Sequence, residues 1–435
     1  MLTGSNQCSS FALMHPRDQL VEIMQRIYDY SMTTTSGGNL SLLDPDGDIW
    51  ITPAGVDKGK LVPEDMICVM KDGNIIGRHK PSSEYPFHQT IYQKNSHVKA
   101  ILHAHPPALA AFSIVRQIPN TLVIPQAADV CGKIGLAKYA TPGTQELAKH
   151  ITESLNDGYD VVLLENHGVV AVGPDLLTAF QRFETLDFCA RIIIKAKSLG
   201  TEITTLTEEQ MDLFNQPRND IPEFKPKFHT NKELELRKEI CDFTRRAYDQ
   251  RLMTSTEGTL SARIDDNSFL MTPYGIDRKY LNVEDVVLIK DKRREKGKLP
   301  SRAILLHSSI YEAHPEISAI TTAQPPNIMA YGITDTELDT RTVPENYILL
   351  RSIPLLKYGI EFTNGVTSIV SKQTPVVIFQ NDAILATGPT ILKAFDRLEV
   401  AERAAQTVLY SLPLGKIIPL NREQVNDLER NFPVD

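Results

Sequence analysis

The chain carries the same message twice. WITPAGVDKGKLVPEDMICVM, residues 50–70, returns as FLMTPYGIDRKYLNVEDVVLIK, residues 269–290, so Thr52-Pro53 recur as Thr272-Pro273, Gly55 as Gly275 and Asp57 as Asp277. The register then holds with little slip. PSSEYPFHQTIY (81–92) pairs with PSRAILLHSSIY (300–311), AILHAHPP (100–107) with AITTAQPP (319–326), and VAVGPDLLTAFQRFE (170–184) with LATGPTILKAFDRLE (385–399). Solenoids repeat many times with periods of roughly 20–50 residues, whereas a much longer period seen twice means a duplicated globular domain. Each copy must close its own core, which 435 residues at 42% hydrophobic content allow. FNQPRNDIPEFKPKFHT (214–230) lies between the copies, and its prolines suit an extended connection. The expected domains are therefore 12–214 and 232–435, with a proline-containing linker at 215–231.

Each copy mixes two periodicities. RDQLVEIMQRIYDYS places Leu20, Ile23, Met24, Ile27 and Tyr28 on one helical stripe, and ELELRKEICDFTRRAYD does the same with Leu236, Ile240, Phe243 and Ala247. AILHA and DVVLLENHGVVAVG are instead short, β-branched and bounded by Gly, Pro or Asp, as buried strands are. Long helices are expected at 175–199 and 390–411. Helices around several short strands predict an α/β domain with helices packed on a central sheet, twice over.

Composition excludes some functions. A net charge of −8 argues against a nucleic-acid surface, which needs clustered Lys and Arg, and the one dense basic run, KDKRREKGK (290–298), reads as a solvated loop. Cys8, Cys68, Cys131, Cys189 and Cys241 are scattered, odd in number and without CxxC spacing, the pattern of a reduced protein. The first twenty residues lack a charged segment followed by a long apolar one, and no apolar run reaches the roughly 18 residues of a membrane span. A cytoplasmic location without membrane or nucleic-acid partners is expected.

His103 and His105 stand at i and i+2 of a predicted strand, on one face and about 7 Å apart, close enough to share a cation. Alone, a His-x-His pair is more often satisfied core histidine than ligand. His167 in ENHG and Glu84 in PSSE complete a donor set of three imidazoles and a carboxylate that suits zinc and leaves room for substrate or water. The second copy is an internal control: Glu84 becomes Ala303, His103 becomes Thr322, His105 becomes Gln324 and His167 becomes Asp382, while the flanks persist. Ligands of one metal are lost together because a partial site binds poorly. His88, which survives as His307, behaves as scaffold, and His97 falls near a surface turn.

SGGNLS, TPAG, PSSE, HAHP, and ENHG followed by a G-P-x-x-x-x-A-F helix resemble the class II aldolase and adducin superfamily over the whole chain, as two tandem copies. The first copy resembles fuculose phosphate aldolase and the second is degenerate. The resemblance implies three-layer α/β/α domains, a zinc-like divalent metal (zinc, manganese or cobalt) on His103, His105 and His167, and Glu84 as fourth ligand or catalytic acid/base. It also implies a phosphate pocket of Gly38, Asn39, Gly55, Ser82 and Ser83. Glutamate at position 84 fits the aldolase branch better than the epimerase branch, where aspartate is expected. Ala54 departs from the fuculose phosphate aldolase pattern, which has a hydroxyl residue there.

The reaction so implied is cleavage of a ketose phosphate to dihydroxyacetone phosphate and an aldehyde through a metal-stabilised enediolate, with Glu84 supplying a proton. In the resemblance a tyrosine from a neighbouring subunit serves the departing aldehyde. Val123 stands near that position in the first copy, and Tyr347 near it in the second, so Tyr347 is a candidate for acting across subunits; the bland alternative is a packed tyrosine with a satisfied hydroxyl. Decarboxylation or dehydration of a sugar-acid or ketose phosphate by the same site, or an adducin-like module without activity, are the competing readings. Homo-oligomers are expected, with a dimer of tandem chains mimicking a four-domain ring.

Overall fold

A computed structural model of the chain describes residues 10–433. Cys8, the first residues of the N-terminal stretch and the last two residues of the expected second domain lie outside the described residues. The chain packs as two compact units: residues 10–121 with 127–190, and residues 122–126 with 191–433.

The first unit is built on one sheet. Its strands are β1 (Asn39–Leu43), β2 (Ile49–Ile51), β3 (Ile67–Val69), β4 (Ile75–Ile76), β5 (Ala100–Ala104), β6 (Ile134–Ala137), β7 (Val161–Leu164) and β8 (Gly168–Gly173), in the order β4-β3-β2-β1-β5-β8-β7-β6. Neighbours are antiparallel except β6 and β7. One face is covered by the helices Tyr85–Lys94 and Gln145–Asn156, whose Ile91, Leu147, Ile151 and Leu155 join Ile101, Val162, Val170 and Val172 in a continuous core. The other face takes the helices Pro16–Asp29 and Pro107–Ile114. In the former Leu20, Ile23, Met24 and Ile27 are fully buried, each contributing about 1.5–3 kcal/mol of burial. Pro16 opens that helix where no N–H is needed, and the His15 ring accepts from the Arg17 backbone N–H.

The second unit repeats the plan. β9 (Glu223–Phe224), β10 (Thr259–Asp265), β11 (Ser268–Met271), β12 (Val287–Lys290), β13 (Arg293–Glu295), β14 (Ala319–Ala323), β15 (Leu355–Leu356), β16 (Val376–Phe379) and β17 (Ile384–Gly388) form a sheet ordered β15-β16-β17-β14-β10-β11-β12-β13-β9. Alternate side chains serve opposite cores: Ile320 meets the helix Ile304–Ala313 on one face, and Ala319 with Leu260 and Ala262 meets the helix Asn231–Asp249 on the other. Both units are thus layered α/β/α, as expected.

Two stretches differ from their sequence reading. Residues 290–298 are not a solvated loop: Arg293–Glu295 form β13, Arg294 pairs with Asp220 and Glu223, and buried Glu295 pairs with Arg237 and Lys298. Alternating acid partners neutralise the basic run. The stretch 215–231 contributes β9, which lies parallel to β13 at the sheet edge. No helix among the described residues is long and apolar enough to cross a membrane.

Candidate metal centre

β5 is the central ladder of the first sheet, with Asn39 of β1 opposite His103 on one side and Val170 of β8 on the other. His103 is fully buried. Its Nδ1 lies 3.0 Å from the Val169 carbonyl oxygen. A carbonyl only accepts, so Nδ1 donates to it and Nε2 is left facing inward. His105, just past the strand end, brings its Nε2 to within 3.0 Å of that atom. His167 enters from the turn between β7 and β8, where Asn166 adopts φ 53° and reverses the chain. The donor nitrogens of the three rings lie within 4.8 Å of one another.

Glu84 immediately precedes the helix Tyr85–Lys94 but makes no side-chain bond to its N-terminus. Its Oε2 lies 3.2 Å from His103 Nε2 and its Oε1 lies 3.6 Å from His167 Nε2. Burial disfavours its charge, but the His103 imidazole, the Asn39 amide and His167 outweigh that and hold the carboxyl well below the usual carboxylate range. Burial, with repulsion from neighbouring imidazoles, lowers both His105 and His167 to about 4. At neutral pH these rings are therefore uncharged, the form in which imidazole binds metals.

The residues present fit a divalent ion. Buried Glu84 Oε1 and His167 Nδ1 have no hydrogen-bond partner, and the Nε2 atoms of His103 and His105 meet at 3.0 Å. Such a cluster is costly unless a cation joins it. Among the described residues the three histidines are the cluster with metal-ligand geometry. Thr322, Gln324, Asp382 and Ala303 occupy the matching places in the second unit and bring no imidazole.

Behind Glu84 runs a chain of hydrogen bonds that sequence reasoning missed. Tyr92 and Ser41 hydroxyls lie 2.7 Å apart, Ser41 Oγ lies 2.6 Å from His88 Nδ1, His88 Nε2 lies 2.5 Å from Asn39 Oδ1, and Asn39 Nδ2 donates to Glu84 Oε2 at 2.8 Å. Burial lowers His88 to about 3, so it holds one proton. The directions then follow: Ser41 donates to Nδ1 and Nε2–H donates to Asn39. His88, read as scaffold, reaches the acid through one residue. In the second unit Ser261, His307 and Tyr311 keep the first part, but Thr259 replaces Asn39 and buried His307 Nε2 has no partner.

The phosphate candidates fall into two groups. TPAG and PSSE lie side by side: Ser82 N–H donates to Thr52 O at 3.2 Å and Ala54 N–H to Lys80 O at 3.0 Å. Ser82 Oγ accepts from the Glu84 N–H at 3.3 Å, and Ser83 is exposed. Gly55 adopts φ +70° with open space around it. Gly38, at φ +72°, sits where a Cβ would come 2.8 Å from His103 O, so only glycine fits beside the histidine strand. Asn39 has both polar atoms committed, to Glu84 and His88. Tyr347 lies on the helix Pro344–Leu350 in the second unit, where its hydroxyl donates to Glu429 at 2.6 Å.

A layered α/β domain thus brings together a strand-borne histidine pair, a third histidine on a hairpin turn and an acid just before a helix, in the first unit and not, among the described residues, in the second. The profile of the family described as Class II Aldolase and Adducin N-terminal domain matches residues 18–194 and 238–409, and the chain belongs to that family as a tandem duplication. It is 35% identical over 174 residues, 40% of this chain and 93% of the relative, to L-fuculose phosphate aldolase of Methanococcus maripaludis. It is 32% identical to 3-oxo-tetronate 4-phosphate decarboxylase of Haemophilus influenzae (46% of this chain, 96% of the relative). Identity is again 32% to 5-deoxy-D-ribulose 1-phosphate aldolase of Bacillus thuringiensis (46% and 93%). A solved L-fuculose 1-phosphate aldolase superposes with a TM-score of 0.42 at 33% identity, covering 48% of this chain and 97% of its own.

Proposed function

We propose that the first copy is a divalent-metal-dependent aldolase, a carbon–carbon lyase that cleaves a ketose phosphate to dihydroxyacetone phosphate and an aldehyde. The observation that carries this reading is the convergence of three imidazoles, two of them against a carboxylate whose Oε1 is buried without a partner. Similarity to two sugar-phosphate aldolases over nearly their whole length supports the substrate class.

His103, His105 and His167 would hold the ion, zinc or else manganese or cobalt. When bound it supplies Lewis-acid stabilisation of negative charge on the substrate oxygens beside the breaking bond. Glu84, ionised until a proton reaches it, would carry that proton to the carbon left behind when the aldehyde departs. The relay through His88 and Asn39 keeps its Oε2 anchored while Oε1 stays free to exchange a proton. Gly38, Gly55, Ser82 and Ser83 supply amide and hydroxyl donors for the phosphate; Asn39 enters as the positioning residue for Glu84. The base for the aldehyde's hydroxyl proton is assigned to Tyr347 of another subunit in a homo-oligomer. The described cysteines are free and buried, which supports a cytoplasmic enzyme.

Decarboxylation of a 3-oxo acid phosphate is the second reading, favoured by Val123 where the aldolase pattern expects tyrosine and by the decarboxylase relative. Metal-loaded protein offered ketose phosphates and 3-oxo acid phosphates decides: dihydroxyacetone phosphate release supports the aldolase, and carbon dioxide release alone transfers the site to the second reading. Failure to bind zinc, manganese or cobalt would favour an adducin-like module.

A further inference from the structure

The second unit lost its imidazoles but not its cavity. Where the first unit has its donor set, a cavity of about 120 Å³ opens, lined by Thr322, Gln324 and Asp382 together with Arg218, Arg302 and Glu361. Arg302 replaces Ser83 in the repeat, next to Ala303 in place of Glu84, so the site exchanged a carboxylate for a guanidinium. The Arg302 guanidinium carbon stacks 3.7 Å from the centre of the Phe214 ring, and that of Arg218 stacks 3.7 Å from the Phe362 ring. Arg218 donates to the backbone oxygens of Leu213, Phe214 and Gln216. Among the described residues, neither guanidinium forms an ion pair with a carboxylate, and Arg302 makes no hydrogen bond.

The acids of the same cavity are equally reserved. Asp382 Oδ1 accepts from the Gln126 amide at 3.3 Å, and Glu361 accepts from the Gly359 N–H at 3.1 and 2.9 Å. Burial raises Asp382, and burial with the charge of Asp382 pushes Glu361 well above the usual carboxylate range. The cavity thus holds two stacked cations and three acids, Glu257 being the third, and neither Glu361 nor Asp382 pairs with the arginines. Unpaired guanidinium charge in such a cavity is costly, and a ligand that meets the arginines and the acids removes the cost.

We propose that the second unit binds, without metal, a small organic anion that also carries hydroxyl groups: its carboxylate or phosphate on Arg302 and Arg218, its hydroxyls on Asp382, Thr322 and Gln324. The planar guanidinium fork, backed by an aromatic ring, is suited to two-point recognition of such an anion. Acceptors at the other end exclude a bare inorganic anion as the best ligand. The inference stands independently of the reaction assigned to the first unit.

Calorimetric titration of the full-length His103→Ala variant, with chelator present, isolates the second site. The probes are D-glycerate, glycerol 3-phosphate and inorganic phosphate. Saturable binding of glycerate or glycerol 3-phosphate, at one per chain and weakened at least tenfold by Arg302→Gln, is expected, and the preferred probe identifies carboxylate or phosphate as the head group. Asp382→Asn should weaken the hydroxylated probes more than inorganic phosphate. Circular dichroism confirms that each variant is folded. No binding of either organic probe, or binding that Arg302→Gln leaves unchanged, overturns the proposal. Turnover by chains with an intact first unit is expected to survive Arg302→Gln, so the two readings fail separately.

Discussion

Asn39 separates two kinds of residue around the candidate metal centre: those that would hold an ion and those that aim its neighbours. Removing the amide in Asn39→Ala leaves Glu84 Oε2 without its donor at 2.8 Å and His88 Nε2 without its acceptor. Turnover is expected to fall on the order of 10–100-fold with the ion retained, while Thr259→Ala, its counterpart, changes turnover little. Steady-state kinetics with metal content measured on the same samples checks both. Gly168 has a subtler task. A Cβ there would stand 2.5 Å from His105 Cδ2 and 2.6 Å from Ala104 O, so Gly168→Ala should displace His105 and weaken metal binding at least tenfold, read by chelator competition. The candidate ligand histidines and Glu84 were legible as a set because all four differ between copies, and the structure does bring them together. His88 was legible only in part, since its hydroxyl partners repeat as Ser261 and Tyr311 while its link to Glu84 does not. The usable signals were correlated: Asn39 becomes Thr259 where Glu84 becomes Ala303, and Gly168 becomes Ala383 where His105 becomes Gln324.

Elements were legible where a cap and a stripe coincide. The helices Asn231–Asp249 and Ile391–Ser411 start after Thr230 and Thr390, whose side chains accept from the N–H groups of Glu233 and Lys393. DVVLLENHGVVAVG reads as strand with His167 at a strand end, where Gly168 lets the chain turn; the positive φ of Asn166 makes that turn, separates β7 from β8 and so delivers His167. Residues 290–298 misled because composition does not show which acids will face them. Nor did periodicity show what caps the helix Pro326–Gly332. Glu402, from the long helix, accepts from the N–H groups of Asn327 and Ile328 and from the Asn327 amide. Glu402→Ala should cost about 3 kcal/mol, since it orphans buried donors. Burial pushes the Glu402 carboxyl up from 4.5 to about 7. The native state therefore binds this proton more tightly than the unfolded chain. That stability is fully present below pH 4.5 and is lost as pH rises through 7, a swing of about 3 kcal/mol that Glu402→Gln should abolish. Chemical denaturation of both proteins at pH 4.5 and 8 measures it.

At the scale of the whole molecule, duplication followed by loss makes a count that can be tested. Two units of one architecture, only one with an imidazole cluster among the described residues, predict one divalent ion per chain by elemental analysis; two per chain would mean that Thr322, Gln324 and Asp382 ligate after all. The layered fold was legible from the repeat because each copy had to enclose its own core, whereas the pairing of β9 with β13 depends on contacts distant in sequence. How copies cooperate is decided by a mixing experiment. If Tyr347 of one subunit serves the metal centre of another, His103→Ala chains lack the ion but keep the tyrosine, and Tyr347→Phe chains keep the ion but lack the hydroxyl. Each variant alone should be nearly inactive. Co-refolded together, they form mixed oligomers in which a complete site is rebuilt from an intact metal centre on one chain and an intact tyrosine on the other. In a dimer with random pairing, about half the oligomers are mixed and each regains one of two sites, so about a quarter of wild-type activity should return. Activity of Tyr347→Phe alone close to wild type would remove the tyrosine from the mechanism and leave its hydroxyl to the bond with Glu429, a tie between two helices of the second unit.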